Sequence, residues 1–165
     1  MQKRVFQLLA DNTSGVLSRI SGLFSRRGYN IESLSVGKSE DPNVSRMTIV
    51  VECEDDVYMQ IKNQLAKLMD VIKIAEFEEE HSVKRELALI KIDALNGTRS
   101  QIMEIANIFR AHIIDVTNST IILEITGDQN KVSAIISMLD EFGIKEVIRT
   151  GVSAIARGDS ELKNY

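Results

Sequence analysis

Asp11-Asn12-Thr13-Ser14-Gly15-Val16-Leu17 lies between an apolar run, Val5 to Ala10, and a pattern in which Val16, Leu17, Ile20, Leu23 and Phe24 recur at helical spacing. The change of period predicts a strand-to-helix turn. Asn12, Thr13 and Ser14 can each cap a helix. Gly15 removes the Cβ that would hold a ligand off the backbone, so the helix N–H groups could meet a small carboxylate. An ordinary capped turn would carry the same residues, and the turn by itself does not separate the two readings.

Working outward, Gly15 to Arg27 is predicted helical and closed by Arg26, Arg27 and Gly28, two cations followed by a helix-stopping glycine. Ile31 to Gly37 is extended, Ser39 to Asn43 turns, and Arg46 to Glu52 alternates as a second strand. Glu54-Asp55-Asp56 places acids at a helix start. Val57, Ile61, Leu65 and Leu68 supply that helix with a buried stripe, and Val71 to Phe77 closes the unit. The order is β-α-β-β-α-β. Glu78 to Arg85 is charged and reads as a linker.

The order then repeats. Leu87 to Ile92 is a strand, and Asn96-Gly97-Thr98 a turn with a capping box of Thr98 and Gln101. Ile102, Ile105, Ala106 and Phe109 line a helix. Ile113 to Thr117 and Thr120 to Thr126 form a tight pair through Asn118-Ser119. Gly127-Asp128 opens a helix with Val132, Ile135, Ile136 and Leu139 inward, and Phe142-Gly143 ends it. Lys145 to Thr150 and Val152 to Ala156 are expected to finish the sheet, with a frayed polar tail from Arg157. The fold class is α+β, two ferredoxin-like units in tandem, each an antiparallel sheet with both helices on one face. Domain bounds follow at 1–78, a linker at 79–84, 85–158, and a tail at 159–165. Units this small gain stability by association, so a homodimer is expected, with residues 1–80 able to dimerise alone.

Composition narrows the function. The 165 residues carry a formal net charge of −4 and a pI of about 5.3, which argues against a phosphate-neutralising surface and hence against nucleic acid. No apolar run approaches the roughly 20 residues that span a bilayer, and a cytoplasmic location is expected. A single cysteine, Cys53, excludes intrachain disulfides, and His81 and His112 are too few and too far apart for a zinc cluster. Glu78 to Glu80 lack the pattern of a cation loop. Arg26 and Arg27 read as helix-end cations, and Arg46 is either exposed at a strand start or a partner contact. Met47, Met59, Met69, Met103 and Met138 read as core filler. An RNA-binding sheet of the same strand order stacks bases on aromatics, but aromatic content is 5% and the central strands offer only Phe6. No nucleophile–base set or phosphate loop suggests an enzyme.

Setting Phe24 against Phe109 without gaps places Gly15 opposite Ser100, Gly28 opposite Ile113 and Asn30 opposite Asp115. On that register the second half lacks both glycines, and a binding loop is confined to the first.

Asp11 to Leu17, the run Leu23-Phe24-Ser25-Arg26-Arg27-Gly28-Tyr29-Asn30-Ile31-Glu32-Ser33-Leu34, and Ser45 to Ile49 closely resemble the small regulatory subunit of acetohydroxyacid synthase (acetolactate synthase). Arg85 to Lys91, Phe109-Arg110 with Ile114 to Thr117, and Gly151-Val152 with Ala156-Arg157-Gly158 resemble the C-terminal domain of that family. The resemblance implies an N-terminal ACT domain that pairs with its twin and binds a feedback branched-chain amino acid, usually valine, at the interface. By position, Asn12, Gly15, Val16 and Leu17 would form the loop side of the site, and Asn30 and Ile31 the partner side. It also implies contact with a catalytic large subunit, whose thiamine diphosphate, Mg²⁺ and FAD do not belong to this chain. The chain would have no catalytic site, no metal and no cofactor of its own. The alternative is an ACT-type amino-acid sensor of a different metabolic enzyme.

Overall fold

The computed structural model describes residues 2–95 and 97–162. The chain divides into two compact units, one of residues 1–83 together with 152–165 and the other of residues 84–151. The first contains β1 (Gln2–Asp11), α1 (Val16–Arg27), β2 (Ser33–Lys38), β3 (Val44–Cys53), α2 (Asp55–Leu65) and β4 (Val71–Glu76). Its strands lie in the order β2-β3-β1-β4, all antiparallel, so β2 and β4 are the edges.

β1 is apolar on both faces because it is central and covered on both. Phe6, Leu8 and Ala10 join Met47, Ile49 and Val51 beneath Val16, Ile20, Leu23 and Phe24 of α1 and Tyr58, Ile61 and Leu65 of α2. The alternate residues face the other way, where a separate stretch of chain meets them. Val5 and Val50 pack with Phe77, Val152 and Ala154, and Leu9 and Val44 with Leu162. Buried Gln7 donates from Nε2 to Ala154 O at 2.9 Å and to Thr48 Oγ1 at 3.2 Å. Arg46 donates from Nη2 to Leu162 O at 3.0 Å and from Nη1 to Gln7 Oε1 at 2.8 Å. Ser33 Oγ accepts from Val152 N, and His81 O from Arg157 N, both at 2.9 Å.

One expectation is corrected here. β9 (Ser153–Ala156) pairs with the strand that starts at Ser82, as expected of a segment that finishes the second sheet, and it also packs on the outer face of the first unit's sheet. The segment from Arg157 to Leu162 is held down instead of fraying. The physical reason is the apolar outer face of β1 and β3, which a fragment of residues 1–80 would leave wet. Residues 163–165 of the expected tail lie outside the described residues. Arg46 anchors this strap, a role its position at a strand start did not reveal.

The second unit repeats the pattern. β5 (Ser82–Asp93) begins inside the stretch read as linker, and is followed by α3 (Arg99–Phe109), β6 (His112–Val116) and β7 (Thr120–Gly127). α4 (Gln129–Leu139), a 3-10 turn at Asp140–Phe142, and β8 (Ile144–Arg149) follow, with strand order β6-β7-β5-β8 and β9 added as a fifth strand paired with β5. Ala88, Ile90, Ile92, Ile121, Leu123 and Ile125 form a core with Ile102, Ile105, Ala106, Val132, Ile135 and Leu139. Asp128 caps α4 by accepting from Lys131 N at 2.8 Å. The capping box expected at α3 is not formed, since Thr98 donates its hydroxyl to Leu95 O. Asn96 of that turn is outside the described residues. Of the five methionines read as core filler only Met47 is buried, and Met69 is 98% exposed.

Candidate functional site

The turn from Asp11 to Gly15 is tied to its neighbours by backbone and side chain. Asp11 N donates to Asp70 O at 2.9 Å and Asn12 N to Asn43 O at 2.7 Å. The Asn12 amide donates to Pro42 O at 2.8 Å, and its Oδ1 accepts from Ser45 Oγ at 2.9 Å. Asn12 therefore clamps the end of β1 to the β2–β3 turn. Gly15 is the N-cap of α1, left-handed at φ 85°, with no side chain capping the helix and no acid in its first turn. The expected caps from Asn12, Thr13 and Ser14 are absent because Gly15 takes the capping position itself. First-turn N–H groups are thus left to water or a ligand.

Val16 is 1% exposed and belongs to the core, whereas Leu17, at 42%, faces outward. The space that Gly15 opens is not empty, since a Cβ there would lie 3.0 Å from Arg19 Nη1. Arg19 in turn grips Asp70 with two bonds, Nε to Oδ2 at 2.6 Å and Nη2 to Oδ1 at 2.8 Å. This fork holds the Asp70 carboxyl below its ordinary range and pushes the Arg19 guanidinium up.

At the far end of α1, Gly28 is left-handed at φ 67°, and Tyr29 N donates back to Phe24 O at 3.0 Å. Asn30 is exposed and donates to Glu32 Oε1 at 2.7 Å, and Ile31 packs half-buried against the core. β2 starts at Ser33, later than expected, and Glu32 N already donates to Val50 O at 2.9 Å just ahead of the ladder. Twelve residues of α1 separate the loop from Asn30, about 18 Å. Val50 pairs with both Val5 and Ser33, and Ser45 with both Ala10 and Lys38. Asn30 and Ile31 therefore stand at the end of the sheet opposite Asn12 to Leu17, and one chain does not bring the two groups together. Val36 points to the helix side of edge strand β2 beside its partner Met47 and is 44% exposed. Sequence reading missed it because a valine in a strand is expected in a core.

Equivalent core positions correct the register between the halves. Phe6, Leu8 and Ala10 correspond to Ala88, Ile90 and Ile92, and Ile20, Leu23 and Phe24 to Ile102, Ile105 and Ala106. Gly15 then matches Gly97 at φ 79°, and Gly28 matches Arg110, left-handed at φ 55°. The second half does have the first glycine, contrary to the ungapped match of Phe24 with Phe109. What it lacks is Asn12, replaced by Ala94, and Asn30, replaced by His112.

Comparison with known proteins decides the family. Residues 6–73 match the model for the AHAS small subunit-like ACT domain, and residues 85–158 the model for the small subunit of acetolactate synthase. The chain belongs to the acetolactate synthase small-subunit family. It is 50% identical to a probable small subunit from Archaeoglobus fulgidus, over 96% of this chain and 99% of that one. It is 47% identical to the Bacillus subtilis small subunit, over 96% of this chain and 93% of that one. The crystal structure of the Thermotoga maritima small subunit superimposes with a TM-score of 0.88 at 38% identity, covering 97% of this chain and all of that one. The tandem ACT-type fold read from sequence is thereby established, and the family implies a large-subunit partner. The family match extends to residue 158, seven residues past the point where the chain crosses to the first unit's sheet.

Proposed function

We propose that this chain is the regulatory subunit that activates the acetolactate synthase catalytic subunit and makes it sensitive to a branched-chain amino acid, valine first. The effector would bind between the ACT domains of two copies. The observation that carries this reading is the separation of Asn12–Leu17 from Asn30–Ile31 at opposite ends of one sheet, together with the open edge of β2. A two-fold axis normal to the sheet pairs β2 antiparallel with its twin. That operation lays the start of one β2 beside the β1–α1 loop of the other copy and keeps the helices of both on one face. Exposed Leu17 and Val36 border this seam and would meet an aliphatic side chain or the second copy.

A ligand shared by two protomers regulates only through a difference in its affinity for two arrangements of the dimer. The occupied dimer would hold the catalytic subunit in its less active state. Thiamine diphosphate, Mg²⁺ and FAD belong on that subunit, and both proteins would work in the cytoplasm.

The test is reconstitution with the catalytic subunit and titration with valine, leucine and isoleucine. The wild-type holoenzyme is expected to be inhibited by at least one, and Asn30→Ala to need at least about tenfold more effector, measured against its own uninhibited rate. A wild-type holoenzyme indifferent to all three overturns the reading. Activation of a different enzyme with no effect on acetolactate synthase would favour a sensor for another pathway.

A further inference from the structure

Both sides of the seam reach the same piece of chain, the strap of residues 152–162. On the loop side, Asn12 holds the β2–β3 turn through Pro42 O and Ser45 Oγ, and beside Ser45 the Arg46 guanidinium bridges that turn to the strap. It donates from Nη2 to both oxygens of Glu40, at 3.1 and 3.0 Å, and to Leu162 O at 3.0 Å. On the β2 side, Ser33 Oγ accepts from Val152 N at 2.9 Å, and Ser35 Oγ lies 3.3 Å from Ser153 Oγ. The strap is therefore tied at its start to one side of the seam and at its end to the other. Its start follows directly on Gly151, the last residue of the second unit.

Between those ties the strap is loosely seated. Val152, Ala154 and Ala156 pack with Val5, Val50 and Phe77, and Leu162 packs with Leu9 and Val44. A cavity of about 360 Å³ opens between these contacts, lined by Gln7, Arg46, Phe77, Gly158 and Ser160 among others. Protein interiors hold few voids larger than one water, whose share of liquid volume is about 30 Å³. The strap thus has room to settle in more than one way. Gln7 and Arg46 fix its present seating through main-chain oxygens, Ala154 O and Leu162 O. A bond to a main-chain oxygen can be remade to that of a neighbouring residue.

We propose that the strap is the element that carries effector occupancy from the seam into the rest of the chain, with an occupied seam favouring one seating and an empty seam another. This rests on the effector reading given above and adds to it the segment through which the ligand acts. A ligand shifts such an element only by binding the two seatings unequally. Occupancy fixes the loop and the start of β2, the two places to which the strap is tied, so the occupied state holds the strap more firmly.

The experiment follows amide hydrogen exchange in the reconstituted holoenzyme with and without saturating valine, leucine or isoleucine. In wild type, the amino acid that inhibits is expected to slow residues 152–162 at least about threefold, along with residues 12–17 and 30–36, while α2 of the same unit is unchanged. Ser33→Ala combined with Ser35→Ala removes the hydroxyl ties and leaves the apolar contacts. In that variant the seam should still slow, the strap should not, and inhibition at saturating effector should fall below about half its wild-type depth. Ser33→Thr combined with Ser35→Thr keeps the hydroxyls and should restore both responses. A strap whose exchange is unaffected while the seam slows overturns the proposal. So does a slowing shared equally with α2, which belongs to general stabilisation, and so does a double alanine variant inhibited as deeply as wild type. Unchanged exchange at the seam itself, in a wild type indifferent to all three amino acids, removes the effector reading and the proposal together.

Discussion

Gly15 has two physical reasons to be glycine, a left-handed backbone and the guanidinium beside it. Gly15→Ala is expected to cost about 1–2 kcal/mol and to disturb the Arg19–Asp70 fork, read as a lower urea midpoint. That fork also sets a pH dependence. The Asp70 carboxyl is held below its ordinary value of 3.8, so its contribution is full above that value and disappears as pH falls through the lowered one. The urea midpoints of wild type and Asp70→Asn should differ at neutral pH and converge in acid. A gap that persists below about pH 2 would show that the carboxylate charge is not its source. The sequence exposed the glycine and its loop because turn chemistry is local. Arg19 was not legible, since its partner is 51 residues away and an arginine in a first turn otherwise reads as solvent-facing.

The element order was legible throughout, since hydrophobic period changes at every boundary. Strand ends were less so. β1 extends beyond its apolar run because pairing continues through Gln2, Lys3 and Arg4, and β3 beyond Arg46 to Glu52 because it continues through Val44, Ser45 and Cys53. The two helix ends offer a paired test. Gly28 and Arg110 hold the same left-handed position, the first at no steric cost and the second against it. Gly28→Ala should destabilise by about 1 kcal/mol, and Arg110→Gly should stabilise by several tenths to about 1 kcal/mol, both measured by thermal melting. The ungapped match of Phe24 to Phe109 failed because it slips the register by three residues, nearly one helical turn, which keeps both aromatics on the core-facing side; aromatic identity is a poorer guide to register than core position.

For the whole molecule, the sequence predicted two consecutive domains, and the structure shows a first unit finished by the last stretch of chain. Covering a sheet face is a long-range requirement that no local pattern states. Leu162, 8% exposed against Leu9, Val44 and Ala75, should cost about 2–3 kcal/mol when changed to alanine. Deleting residues 152–165 should leave Val5, Leu9, Val44 and Val50 wet and cause association or loss of cooperative melting, seen by light scattering and calorimetry. A monodisperse, cooperatively melting deletion variant would show that the strap is dispensable. This interruption also orders events at the ribosome. Residues 84–151 are made between the first unit's sheet and the residues that cover its outer face, so that apolar face stays uncovered until the whole second unit has been synthesised.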